Sequence, residues 1–158
     1  MKKLIFAFLL LPLLNMAQAP LKANVVVFET DSIVDAELFR IVVFSMKESG
    51  FQLKNLDKDF LICSTEPIKD QNYECKLSIS VIGKKLEIRS YYRMTTDMSF
   101  ITGSSKSIDK NNDDSWDRAA NKGLKTSIYR FAFEKAERLA QKVFSKTDGT
   151  ITYKTEDI

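Results

Sequence analysis

Apolar and polar residues alternate over residues 73–82 and again over residues 85–92, a pattern typical of strands that bury one face. Gly83 and Lys84 lie between the two segments, and a two-residue interval that begins with glycine is a hairpin signal. Pairing across this turn brings mainly apolar residues together on one face: Val81 with Leu86, Ile79 with Ile88, Leu77 with Ser90, and Cys75 with Tyr92. We therefore predict an antiparallel hairpin in this register, because a shift by one residue would turn these side chains to the other face.

Shorter strands flank this hairpin, and they are rich in β-branched, aromatic and other apolar residues bounded by turn residues. Their predicted bounds are residues 24–30, 51–56, 60–65 and 98–102. We also predict a bend or tight turn at 57–59, a polar connection at 67–72 and a long polar loop at 103–114.

Two segments have the spacing of amphipathic helices. The first covers residues 32–49: Asp31 and Ser32 offer oxygens that can cap its start, Asp35 follows as in a capping box, and Gly50 ends it. The second covers residues 115–145, capped by Asp113, Asp114 or Ser115, and its predicted core-facing residues are Leu124, Ile128, Phe131, Ala132, Ala136, Leu139 and Val143.

The order of these elements is β-α-β(3-5)-α, which predicts an α+β two-layer sandwich: an antiparallel sheet with two helices on one face. This order resembles the helix-grip or TBP-like sandwich of small exported domains, including those of outer-membrane assembly lipoproteins. The predicted domain covers residues 20–146, and the polar tail 147–158 is expected to fray.

The first nineteen residues have the layout of a secretory signal peptide. Lys2 and Lys3 precede an apolar stretch of about eleven residues, which is too short to span a bilayer. Ala17 and Ala19 are small residues at the positions that a signal peptidase recognises. We therefore expect cleavage before Pro20 and a periplasmic or secreted protein with no transmembrane segment in the mature chain.

The amino-acid composition limits the kinds of catalytic site, metal site and partner that the chain can have. The chain has 24 Lys and Arg, 21 Asp and Glu, and no histidine, which excludes histidine-based catalysis and histidine-ligated metals. Without Lys2 and Lys3 the net charge falls from +3 to +1, so we expect no nucleic-acid partner. The sequence contains no recognisable catalytic or cofactor motif, and we assign no catalytic residue, metal or cofactor.

Cys63 and Cys75 are the two cysteines, and export to an oxidising compartment would favour a disulfide. A hairpin centred near Lys69 would place Cys63 opposite Cys75 and Leu61 opposite Leu77. A bridge between the two cysteines would then join neighbouring strands. Two buried free thiols are the alternative.

Two polar clusters have alternative interpretations. One cluster has the alternating oxygen ligands of a calcium loop: Asp109, Asn111, Asp113, Ser115 and Asp117. Asp114 and Ala120, however, occupy the positions where such a loop needs glycine and glutamate. A solvated acidic loop before a helix explains the same residues. The outward face of the hairpin carries Lys76, Arg89, Tyr91 and Arg93. Such a face can bind single strands, but Glu74 would lie opposite Arg93, which favours an ordinary charge-paired surface.

The predicted second helix carries aromatic residues behind its core-facing arc: Tyr129, Phe133 and Phe144, with Ala140. One hypothesis is that they form an interface with a partner protein or a second copy, because aromatic residues are enriched where partners bind. The alternative is that the helix is held on two sides and these rings belong to the core.

Two functions follow from these observations. The first is an exported, non-enzymatic binding or accessory domain that acts on a protein or an envelope component. The alternative is a small-ligand-binding or hydrolytic domain with a cleft between the second helix and the sheet. A concave apolar pocket under that helix would favour the second function, and a filled core would favour the first.

Overall fold

The computed structural model describes residues 19–70, 73–95, 116–123 and 127–157. Within these ranges the chain forms eight strands and two helices. The strands are β1 (Val25–Glu29), β2 (Leu53–Asp57), β3 (Ile62–Thr65), β4 (Ile68–Asp70), β5 (Tyr73–Ile82), β6 (Lys85–Met94), β7 (Asp117–Arg118) and β8 (Thr150–Lys154); the helices are α1 (Asp35–Glu48) and α2 (Ile128–Phe144).

All strands belong to one antiparallel sheet in the order β2-β3-β5-β6-β1-β8. The short strand β4 also pairs with β5, and β7 also pairs with β6. Both helices pack on the same face, which we call the inner face; the opposite face of the sheet is the outer face. The α+β class and the two-layer arrangement predicted from the sequence are confirmed.

The predicted hairpin register is confirmed along β5 and β6, including Val81 opposite Leu86 and Cys75 opposite Tyr92. The predicted turn at 57–59 is also present: the carboxylate of Asp57 accepts hydrogen bonds from the backbone N–H groups of Asp59 and Phe60, each at 3.0 Å. The alternation of apolar and polar residues predicts this register correctly because β5 and β6 bury one face only. The residues of the turn between them then fix which positions pair.

Both helices begin later than predicted. Helix α1 starts at Asp35 after Val34, with no side-chain cap, so Asp31 and Ser32 do not play the predicted capping role. Helix α2 starts at Ile128 after Ser127, also without a side-chain cap. The predicted caps at 113–115, the core position at 124 and the strand at 98–102 lie outside the described residues.

The core lies between the inner face of the sheet and the two helices. The sheet contributes side chains that are almost fully buried: Val26, Phe28, Leu77, Ile79, Val81, Leu86, Ile88 and Tyr92. The helices contribute Leu38, Phe39, Val42, Met46, Ala132, Phe133, Ala136, Leu139, Ala140 and Val143. These side chains occupy the space in which the alternative function placed a ligand cleft.

The C-terminal segment does not fray as predicted. Residues Thr150–Lys154 form β8, which pairs with β1 along its whole length. Ile151 and Tyr153 pack against the core, whereas Thr150, Thr152 and Lys154 are exposed. Strand β8 is hard to recognise in the sequence because it is a short edge strand that buries one face. Such a strand needs only two apolar residues among polar ones.

The predicted disulfide is wrong. Both cysteines are buried free thiols, Cys63 opposite Ile79 and Cys75 opposite Ile68. The predicted register centred near Lys69 is not formed, because residues 68–70 are a strand that pairs with β5, with Asp70 opposite Tyr73. This displaces the two cysteines by four residues along β5, or about 13 Å, which a disulfide cannot span.

Candidate binding groove on the outer face

The outer face of the sheet divides into two regions. Over β1 and the adjoining part of β6, Arg89 binds Glu87 at 2.7 Å and Glu156 at 2.6 Å, and Arg118 binds Glu156 at 2.9 Å. Charge-assisted hydrogen bonds hold these side chains to one another. Arg89, which the sequence places in a basic patch, is therefore part of an ion-pair network.

The second region is a groove of about 730 Å³ that crosses the sheet from β2 to β6. We call it the outer-face groove. Its lining residues are Lys54, Asn55, Ser64, Thr65, Pro67, Lys76, Leu77, Ser78, Tyr91, Arg93 and Trp116. The Leu77 side chain is fully buried on the inner face, so this residue lines the groove with its backbone.

The groove lies where the sheet is interrupted. Strands β3 and β4 both pair with β5, but Glu66 and Pro67 separate them. Proline has no backbone N–H and cannot continue a ladder. At the interruption, the backbone N–H of Leu77 donates instead to the Thr65 hydroxyl at 3.0 Å. The local irregularity therefore follows from a single proline and a threonine.

Two aromatic rings border the groove and are held by cations from the sheet. Lys76 Nζ lies 4.2 Å from the centre of the Trp116 ring, and Arg93 Cζ lies 4.8 Å from it. Arg93 Nε also donates to Glu74 at 2.7 Å, as the cross-strand prediction requires. Cation–π contacts of this kind stabilise ring orientation by about 0.5–1 kcal/mol each at exposed sites.

Tyr91 lies beside Trp116 in the same arrangement. Its ring centre is 5.8 Å from Lys76 Nζ and 6.0 Å from Arg118 Cζ. Strand β7 holds Trp116 and Arg118 beside β6, because Arg118 pairs with Tyr91 and Asp117 pairs with Tyr92. The Tyr92 hydroxyl also donates to the Asp117 carboxylate at 3.2 Å.

Part of this site is predictable from the sequence. Lys76, Tyr91 and Arg93 lie together on the outer face as predicted, whereas Trp116 was assigned to the start of the second helix. Strand pairing of Asp117 and Arg118 overrides that helical assignment. The signal in the sequence was the one tryptophan of the chain, which follows an acidic, polar stretch of sequence.

The aromatic residues of α2 pack against the rest of the domain, which agrees with the alternative to an interface. Phe133 is fully buried and packs 6.3 Å from Tyr153 of β8, centre to centre. Tyr129 packs edge-on against Tyr92 at 4.7 Å, and Phe144 packs against Phe28 at 6.5 Å. Phe133 therefore belongs to the core, and Tyr129 and Phe144 are partly buried against it, because α2 packs on the sheet and on α1.

Most residues of the calcium-like series and of the predicted signal peptide lie outside the residues that the structure describes. Within the described residues, Asp117 is the only member of the calcium-like series, and no group of three or more Cys, Asp and Glu side chains is arranged to hold a metal ion. Lys2, Lys3 and Ala17 lie outside the described part of the chain. No helix in that part is long and apolar enough to cross a membrane.

A comparison of the sequence with protein-family models finds no match, and none of the curated proteins matches it.

Proposed function

We propose that this protein is an exported, non-enzymatic binding domain and that the outer-face groove holds its ligand, a protein or an envelope component. The observation that carries the proposal is the collection of two aromatic rings and several hydrogen-bonding side chains around one concave surface of about 730 Å³. Ligand sites are typically concave surfaces that combine aromatic area with a few polar groups.

The filled core supports this choice over a cleft between α2 and the sheet. Phe28, Leu86 and Phe133 are fully buried between the two layers, where a ligand of the alternative kind would have to lie. Opening that space would expose several large apolar side chains, each worth about 1.5–3 kcal/mol when buried.

Export is the second part of the proposal. Its support is the three-part pattern of the first nineteen residues. Mass spectrometry of the protein recovered from an envelope or culture fraction should give a chain that starts at Pro20. An intact Met1 in that pool would contradict export with cleavage.

Affinity capture from an envelope fraction tests the binding surface. Wild-type protein is compared with a groove variant, Tyr91→Ala, and with a control on the exposed side of α2, Arg138→Ala. We expect the wild type and the control to retain the same component and the groove variant to lose it, while circular dichroism shows all three folded. Equal capture by the groove variant would contradict the proposal.

A further inference from the structure

We infer that Asp148 is a site of spontaneous isomerisation, at which the peptide link to Gly149 moves from the main-chain carbonyl to the side-chain carboxyl group. The product, isoaspartate, loosens the docking of β8. This modification is separate from the proposed binding function, because it concerns the connection between α2 and β8 and not the outer-face groove. Three observations support it: the local sequence, the accessibility of the reacting groups and the tight packing that follows them.

The local sequence favours the reaction. Asp148 is followed by Gly149, and the chain contains no other Asp-Gly and no Asn-Gly dipeptide. The backbone nitrogen that follows an aspartate can attack its Cγ to close a five-membered ring, and a side chain next to that nitrogen obstructs the attack. Glycine has no Cβ and adopts the widest range of backbone angles, so an Asp-Gly link offers the least obstruction.

The structure leaves both reacting groups accessible. Asp148 and Gly149 lie in neither a helix nor a strand, Asp148 is exposed, and both border a surface depression of about 470 Å³. Within the part of the chain that the structure describes, no hydrogen bond or ion pair engages the Asp148 carboxylate or the Gly149 N–H. The Asp57 carboxylate, in contrast, accepts hydrogen bonds from two backbone N–H groups. At Asp148, no contact of this kind has to break before the ring closes.

The reaction needs water and no other reactant. The Gly149 nitrogen forms a bond to Cγ of Asp148, and the hydroxyl of the neutral carboxyl group leaves with the amide proton as water. Water then adds to the resulting succinimide. Addition at Cγ breaks the new bond and restores aspartate, whereas addition at the main-chain carbonyl carbon breaks the original peptide bond and leaves isoaspartate. The product has the same mass, one more atom in the main chain and a free α-carboxylate.

The packing after Asp148 does not tolerate a longer main chain without movement. A methyl group on Gly149 would overlap the Glu29 carbonyl oxygen and the Phe28 ring, so the position of this glycine is closely defined. Strand β8 begins at the next residue and pairs with β1 along its whole length. Because the extra atom precedes Gly149, it displaces the glycine and with it the start of β8.

Loss of this docking uncovers part of the core. The Tyr153 ring packs 6.3 Å from the Phe133 ring, centre to centre, and Ile151 also packs on the core. Beyond the strand, Glu156 binds Arg89 at 2.6 Å. Isomerisation should therefore lower the stability of the protein and open β8 before the central strands.

Ageing of the mature chain tests the site. The protein and an unstructured peptide of residues 144–154 are incubated for several weeks at physiological temperature and neutral pH. Isoaspartate is measured by methylation with a purified isoaspartyl methyltransferase and located by electron-transfer mass spectrometry. We expect it at position 148 of the protein at a rate within about fivefold of the peptide, and about tenfold less or lower at Asp57. Asp148→Glu keeps the charge but needs a six-membered ring, so it should form none there.

Hydrogen exchange tests the consequence. The isomerised and unmodified proteins are separated by chromatography and compared peptide by peptide. The amides of residues 150–154 should exchange about tenfold faster or more in the isomerised protein, whereas those of α1 should change little. Native protein without isoaspartate at position 148 would overturn the inference, even if the free peptide converts. Equal exchange of β8 in the two forms would overturn the loosening of this strand.

Discussion

Asp35 shows how one side chain can have a structural role that sequence spacing does not reveal. Its position near the start of α1 suggested a capping box with Ser32. Its carboxylate instead accepts hydrogen bonds from the backbone N–H groups of Gly83 at 2.9 Å and Lys84 at 2.6 Å. The residue therefore joins the start of α1 to the β5–β6 turn, a contact between positions far apart in sequence.

The two cysteines give a prediction at the same scale. Burial raises the pKa of the Cys63 and Cys75 thiols to about 12, so the reactive thiolate is scarce at neutral pH. We expect alkylation of the native protein to be slow and to become fast when the protein is unfolded. Peptide mapping without reduction should recover both cysteines unlinked, and a linked Cys63–Cys75 peptide would contradict the structure.

Glu137 gives a pH prediction. Burial raises the pKa of its carboxyl group, while Arg130 and the Tyr153 hydroxyl act in the opposite direction and Glu134 adds to the rise. Because its pKa is higher in the folded state, stability due to Glu137 is present at low pH and is lost as the pH rises through the folded-state pKa.

The variant Glu137→Gln removes this titration. Its thermal stability relative to wild type should therefore increase as the pH rises from about 4, near the ordinary glutamate value, to about 7. Melting curves of the two proteins across this range measure the difference. A constant difference, or one that changes in the opposite direction, would contradict a raised pKa.

At the scale of elements, α2 shows what periodicity can and cannot predict. Ala132, Ala136, Leu139 and Val143 lie in the core as their spacing requires. The start of the helix could not be predicted in the same way, because residues 117–118 pair with β6 and Asn121 holds the segment around Pro20. These contacts depend on residues distant in sequence and override local helical preference.

The burial of α2 predicts a large effect of Phe133→Ala. Truncating a fully buried phenylalanine should cost about 3–5 kcal/mol of unfolding free energy because it leaves a cavity. The matched control is Phe60→Ala, whose side chain is 72% exposed, and its effect should be within about 0.5 kcal/mol. Chemical denaturation measures both. Similar small losses in the two variants would contradict the placement of Phe133 in the core.

The connection from α2 to β8 predicts an effect of Gly149→Ala. A methyl group there would overlap the Glu29 carbonyl oxygen and the Phe28 ring, so the edge of the sheet must shift to admit it. We expect a loss of about 1–3 kcal/mol by chemical denaturation. Thr152→Ala, at an exposed position of β8, is the control and should lose much less. Equal stabilities would show that β8 does not dock as described.

At the scale of the whole molecule, the sheet has one face for the core and another that carries the candidate site. The sequence predicted the fold class and the β5–β6 register because both follow from alternation and turn residues. It did not predict the groove, because that surface depends on how distant segments pair. Strands β3 and β4 pair with β5 on either side of an interruption at Pro67, and β7 brings Trp116 next to β6. None of these is a periodic feature of the chain.

The most direct test of the outer-face groove as the binding surface is site-specific photo-crosslinking in the producing cells. A photoreactive residue replaces Ser78 in the groove or Arg138 on the exposed side of α2. We expect a discrete, light-dependent adduct from position 78 and none from position 138. Adducts from position 138 alone would contradict the account and would place the binding surface on the helical layer.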